Sequence, residues 1–227
     1  MNETAADAAP GAAEALQQLT EMLLLADETA AAAAVLAELA VLDPHAAAKG
    51  QTARAWIEGH LGQALLLARQ CGQRRPEDLE AARLTALCLT ALGRQVEARH
   101  TLEAALARQP QSPATWLHLI ELTAETLDLP QTRQAIHAAL AACPRAAVLH
   151  VALARWWLKA DAPEAAVEAY RQALLCAPGD TEVWLESATV LAQATTVAAA
   201  AAWLEVALSG PLAGDEAIAA AVRQLRA

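Results

Sequence analysis

The sequence predicts an all-α protein, a solenoid of about six stacked helical hairpins closed by a C-terminal capping helix, and three observations carry that reading. Seven prolines, Pro10, Pro44, Pro76, Pro110, Pro144, Pro178 and Pro211, recur at gaps of 34, 32, 34, 34, 34 and 33 residues, the period of one stacked hairpin. Between them, large apolar residues and alanines recur at fixed offsets, as two antiparallel helices with closely approaching backbones require. The composition, 56% hydrophobic with mean hydropathy +0.24, is too apolar for a disordered chain and supplies surface for neighbouring repeats to bury.

With each proline at position 32 of a 34-residue unit, the units span 13–46, 47–78, 79–112, 113–146, 147–180 and 181–214. Residues 1–12, small and polar, are expected to form a disordered tail. The first unit carries Leu16, Leu19, Leu23, Ala32, Leu36 and Leu39. The second is degenerate: two residues short, it ends in Gly72-Gln-Arg-Arg-Pro76. The third supplies Ala86, Leu89, Ala98, Leu102 and Ala105, with Gly93 at the turn between its helices; the fourth has Trp116, Leu119, Ile120, Ala135, Ile136 and Ala139. In the fifth, Asp161-Ala-Pro-Glu164 reads as an N-cap acid, a first-turn proline and a glutamate three residues on. Asp180 or Thr181 caps the sixth unit, which carries Trp184, Ala188, Leu191, Ala200, Leu204 and Ala207. Asp215 caps a final helix over 215–227, with Ile218, Val222 and Leu225 on one face and Arg223 and Arg226 near its end.

Leu153, Ala154, Trp157, Ala166, Tyr170, Ala173 and Pro178, at positions 7, 8, 11, 20, 24, 27 and 32 of the fifth unit, resemble the tetratricopeptide repeat. The other units resemble it too, the second least, with Gly50 where an aromatic is usual. The resemblance implies a right-handed superhelical solenoid whose first helices line a concave groove through positions 2, 5, 9, 12 and 13. On this chain those positions give Arg83, Leu87, Leu117, Glu121, Glu125, Val148, Val151, Arg155, Lys159, Glu182, Leu185 and Gln193, an apolar floor with a few charges suited to a peptide or helix. Glu121 and Arg155 share position 9, and Glu125 and Lys159 share position 13, of adjacent first helices, so two charge pairs are expected there. The family's best-defined clamp for a peptide carboxylate uses Lys and Asn. Here Gln17, Glu21, Gln51 and Ala55 take those sites, so that mode is not expected.

The net charge of −10 argues against a nucleic-acid footprint. Its distribution is uneven. Residues 1–44 hold eight acids (Glu3, Asp7, Glu14, Glu21, Asp27, Glu28, Glu38, Asp43) and no Lys or Arg, whereas residues 45–112 hold nine bases against six acids. Self-association through these opposite charges is one expectation. No basic and apolar leader opens the sequence, and no apolar run spans a membrane, so a cytoplasmic location is expected. Cys71, Cys88, Cys143 and Cys176 lie far apart and read as reduced, buried small residues. Scarce Lys, Asn, Phe and Tyr point to a GC-rich bacterial genome.

His45, His60, His100, His118, His137 and His150 show no metal-ligand spacing, and no nucleophile elbow, P-loop or dinucleotide fingerprint is present; neither metal nor cofactor is expected. Trp116, Trp157 and Trp184 sit at core positions, while Trp56, Trp156 and Trp203 are open to interface roles. The reading is a non-enzymatic interaction scaffold or adaptor that binds a peptide or protein segment and aids assembly or chaperoning of a bacterial complex. The alternative is an accessory or substrate-presenting subunit of an enzyme such as a glycosyltransferase system.

Overall fold

The computed structural model describes residues 3–125 and 129–226, which form α-helices joined by short turns, with no strand among them. Two compact units result, Met1–Gln109 and Pro110–Ala227. The first holds α1 (Glu3–Leu25), α2 (Thr29–Leu42), α3 (Pro44–Ile57), α4 (Leu61–Arg74), α5 (Leu79–Ala91) and α6 (Gln95–Arg108). The second holds α7 (Pro113–Glu125), α8 (Leu129–Ala142), α9 (Ala147–Lys159), α10 (Pro163–Cys176), α11 (Thr181–Ala194), α12 (Val197–Leu208) and α13 (Glu216–Arg226). Within each unit consecutive helices pack on one another, and α1 packs also on α3, α3 on α5, and α7 on α9.

The periodic residues explain the hairpins. Positions 20, 24 and 27 of the second helices are buried in every pair: Ala32, Leu36 and Leu39 in α2, Ala98, Leu102 and Ala105 in α6, Ala166, Tyr170 and Ala173 in α10. A small residue at position 20 lets the partner helix approach, and those at 24 and 27 fill the gap it leaves. In three first helices positions 3, 7 and 10 are buried as well: Ala81, Thr85 and Cys88 in α5, Thr115, Leu119 and Leu122 in α7, Val183, Ser187 and Val190 in α11.

Four hairpins turn through one residue in the left-handed region at position 15: Asp27 (φ 60°), Gly59 (79°), Gly93 (74°) and Asp161 (58°). Glycine adopts this conformation without a Cβ penalty, and aspartate is among the residues that tolerate it best. Asp161 is therefore the turn residue after α9. The N-cap of α10 is Ala162, which makes no side-chain capping bond, so the expected cap at Asp161 is absent.

Gly59 also corrects the second unit's register. Counting from residue 45 rather than 47 puts Gly59 at position 15 and the buried Ala64, Ala68 and Cys71 at 20, 24 and 27. Position 4 then falls on Ala48, and the second hairpin is of full length. The missing two residues belong to the connection before it: Asp43 alone separates α2 from α3, where four residues separate α4 from α5, α8 from α9 and α10 from α11. Asp43 serves both helix ends, its N–H bonding Leu39 O while its carboxylate caps α3 through His45 N (2.9 Å) and Ala46 N (3.0 Å).

The expected tail over 1–12 is also corrected. From Glu3 onward these residues lie in α1, as a run of helix-favouring alanines allows, and Pro10 falls inside the helix rather than at a hairpin boundary; residues 1 and 2 lie outside the described residues. At the other end Asp215 caps α13 through Ala217 N and Ile218 N, and Ile218 and Val222 join the buried cluster of α9 to α12. Cys71, Cys88 and Cys143 are buried and Cys176 is exposed, against expectation, because it closes α10 on its outer side.

Candidate functional site

In the second unit α7, α8 and α9 enclose a groove-like cavity of about 160 Å³. Its floor is apolar, from Leu117, Ile120 and Ala124 of α7 and Val148, Val151 and Ala152 of α9, with Thr132 and Trp156 closing it from below. Glu121 stands on one wall, Arg155 and Lys159 on the other. Six of the twelve expected groove residues thus meet here: Leu117, Glu121, Val148, Val151, Arg155 and Lys159. Glu125 is exposed at the end of α7, Glu182 and Gln193 are exposed on α11, and Leu185 packs against the core cluster; none of these lines the cavity. Arg83 and Leu87 belong to α5 of the other unit, half-buried, with Arg83 Nε shielded and without a hydrogen-bond partner.

The two expected charge pairs do not form. Arg155 turns to the following first helix, donating through Nε and Nη2 to Glu186 Oε1 and Oε2, both at 3.0 Å. Tyr170 Oη donates to the same Glu186 Oε1 at 2.7 Å. A two-pronged guanidinium–carboxylate pair is stronger than a single contact, so Glu186 outcompetes Glu121. The Arg155 hydrogen bonds hold Glu186 below the usual carboxylate range against the opposing effect of burial, and burial with the Glu186 bond pushes the Tyr170 hydroxyl far up. Glu121 is left without an ion-pair partner among the described residues; partial desolvation and the Glu125 charge one turn on raise its carboxyl above the usual range, outweighing Arg155. Among the described residues Lys159 also forms no ion pair. The site therefore presents, among the described residues, an ammonium outside any ion pair and a reluctant carboxylate across an apolar floor.

A smaller cavity of about 70 Å³ occupies the first unit, lined by Gln17, Glu21 and Leu24 of α1, Lys49, Gly50 and Ala53 of α3, and Glu80 and Leu84 of α5. With the corrected register, Lys49 and Ala53, rather than Gln51 and Ala55, stand at positions 5 and 9. Lys49 is taken by Glu80, with which it makes a short contact, and by Asp78 at 3.4 Å. Gly50 sits directly over Leu36, where a Cβ would lie 2.4 Å from Leu36 Cδ2, so a larger side chain cannot be added without displacing that leucine.

The interaction that residue-by-residue reading missed is a bond between buried His45 and Asp78, Nε2 to Oδ2 at 2.6 Å. Asp78 simultaneously caps α5 through Glu80 N and Ala81 N. Burial works against its charge, but the His45 bond and the Lys49 charge prevail and hold its carboxyl below the usual range. The signal lay in the period: a residue opening one first helix meets the cap one repeat on, His45 with Asp78 at 33 positions and Thr181 Oγ1 with Asp215 Oδ2 at 34 positions and 2.8 Å. Trp156 is a second correction. It is buried, its Nε1 donating to Leu129 O, and it lines the groove rather than offering a separate outer surface. Trp56 is exposed, while Trp203 leans on Trp184 with centroids 5.0 Å apart.

Two compact units of antiparallel helical hairpins with a 34-residue register, no metal-holding cluster among the described residues, and an open groove on the first helices define a helical-repeat protein. The fold is that of the tetratricopeptide repeat. No family model and no curated protein matches the sequence. Solved structures do match. TTC0263, a thermophilic tetratricopeptide protein of Thermus thermophilus, superimposes with a TM-score of 0.63 at 19% identity, covering 79% of this chain and 98% of that one. PilF of Pseudomonas aeruginosa gives 0.61 at 15% identity over 96% of this chain and 98% of its own. The Cut9–Hcn1 hetero-tetramer of the APC/C gives 0.56 at 17% identity over 94% of this chain and 42% of that chain. Among the described residues no helix is long and apolar enough to cross a membrane.

Proposed function

We propose that the chain is a non-catalytic interaction scaffold, built of six hairpins and a closing helix, that receives a segment of another protein in the α7–α9 groove. The cavity carries this reading: about 160 Å³ of mainly apolar lining, with Lys159 on one wall placed to meet an acid and Glu121 on the other placed to meet a base. An apolar side chain of a helix or extended peptide fits the floor while flanking polar groups reach the walls. Glu125, Glu182, Leu185 and Gln193 are proposed to extend contacts along the same bound segment, and Arg83 and Leu87 to be partner-binding residues of the other unit. The repeat fold of the neighbours supports protein binding as the general role. A cytoplasmic bacterial adaptor in complex assembly is the setting we favour.

The test is an affinity capture from the host with the native chain and with Leu117→Glu and Val148→Glu. Both residues line the groove with part of their surface exposed, so both variants should fold. Loss of a specific captured protein in both variants is expected. An unchanged set of captured proteins would remove the groove from consideration.

A further inference from the structure

Position 28 of the repeat, near the end of each second helix, is a leucine in the last four hairpins: Leu106, Leu140, Leu174 and Leu208. Leu106 and Leu174 are buried, and Leu140 and Leu208 pack against core clusters, as Ala40 does in the first hairpin. In the second hairpin, counted from residue 45, this position is Gly72. A Cβ at Gly72 would meet nothing within 4 Å. The place of the leucine is left open, and a hollow of about 400 Å³ stands there between α4, α5 and α6. A knob that later repeats supply from their own chain is here missing from its hole.

The lining selects an occupant. Thr85 and Thr101 line the hollow, but each hydroxyl is already donated within its own helix, to Ala81 O and Glu97 O, both at 2.8 Å. With Ala82 and Ala104 beside them, the walls offer apolar surface and no free hydroxyl donor. The cations of the lining are Arg69 and Arg108. Arg108 is exposed and forms no ion pair among the described residues. Arg69 reaches Glu97 through one contact of 3.3 Å, and Glu97 is already gripped by Arg94 at 2.6 and 2.7 Å, so Arg69 is readily exchanged to another carboxylate. The one acid in the lining, Asp78, is answered by His45 and Lys49. An apolar hole between two available arginines complements an apolar side chain flanked by carboxylates, whereas a bare anion would leave the hole unfilled. We propose that the Gly72 hollow is a docking site, separate from the α7–α9 groove, for an acidic segment of a partner protein that inserts a leucine-sized side chain where the repeat lacks its own.

The test titrates a labelled peptide, one leucine set between clusters of aspartate and glutamate, against the full chain by fluorescence anisotropy. Saturable binding is expected, reduced by salt and unchanged in Leu117→Glu. It should weaken about tenfold or more with Gly72→Leu, which fills the hole, with Arg108→Glu, which reverses the rim charge, and with serine in place of the peptide's leucine. Gly72→Leu itself should fold and melt at a higher temperature, since it replaces a glycine inside a helix and fills open space. Absent binding, binding indifferent to Gly72→Leu or to the peptide's leucine, equal loss in Leu117→Glu, or displacement of the peptide by equimolar inorganic phosphate would overturn the proposal. So would a native dimer that Gly72→Leu dissociates, since a second copy would then own the site, or a lower melting temperature of Gly72→Leu, since the space would then be closed.

Discussion

The first-helix surfaces of the two units use similar charges to opposite ends. In the first unit Lys49 is spent on Asp78 and Glu80, Gln17 Nε2 bonds Glu21 at 3.2 Å, and the cavity between α1, α3 and α5 is small. In the second unit Arg155 is held by Glu186, but Lys159 and Glu121 face an apolar floor without ion partners among the described residues. The difference lies in where the lysine stands: Lys49 is in the first half of α3, within reach of Asp78 and Glu80 at the start of α5, whereas Lys159 closes α9. A cation at the far end of its helix lies away from the cap of the next one and lines an open site instead.

The largest expected effect sharpens the second half of this contrast. Tyr170→Ala empties a fully buried site and releases Glu186, which should cost about 3–5 kcal/mol in chemical denaturation. Tyr170→Phe should cost only about 1 kcal/mol, the value of the hydroxyl bond. Asp78→Ala probes the first half. It removes a helix cap, strands His45 and leaves Lys49 with Glu80 alone, so a loss of about 2–4 kcal/mol is expected, and a loss under about 1 kcal/mol would show that the clamp is ornamental.

Acid should separate the two surfaces next. The Asp78 carboxyl is depressed in the folded protein, so its contribution is complete above the unfolded value of about 4 and disappears as pH falls through the folded value. Glu121 is raised, so the folded state takes up its proton first, and its unfavourable contribution at neutral pH fades on acidification. Glu121→Gln should therefore raise the melting temperature slightly near pH ~7 and not near pH ~3, while Asp78→Asn should lower it near pH ~7 and much less near pH ~3. The smallest effect on stability is expected from Lys159→Ala, within about 0.5 kcal/mol, as for a side chain with no ion partner among the described residues. Its effect should appear only in binding of a groove ligand, and a stability loss comparable to that of Asp78→Ala would erase the contrast.

The proline period and the recurring alanines made the hairpin architecture legible, because they encode how closely two helices can pack. Tyr170, Leu204 and Ile218 are buried where the pattern put them. What the pattern missed was local. Treating a short step between prolines as a short repeat displaced the second unit by two residues, since a proline marks a turn, and turns vary while helices do not. Gly59, a residue whose backbone freedom the turn requires, held the better register. The groove was legible as a set of positions, six of which converge on one cavity. The ion pairs were not, because position alone says which side chains are near and not which of several carboxylates wins. Arg155 chose Glu186 for the second bond and for its support from Tyr170.

The one-residue link at Asp43 has a consequence for how this end of the chain opens and closes. A four-residue connection has slack, so one hairpin can fray while its neighbour stays folded. A single residue that ends one helix and starts the next transmits strain in both directions. Helices α2 and α3 should then exchange their amide protons as one cooperative block, with matched protection, while α4 and α5, across a longer link, are free to differ. The first hairpin would be kept folded by a hinge with no play in it.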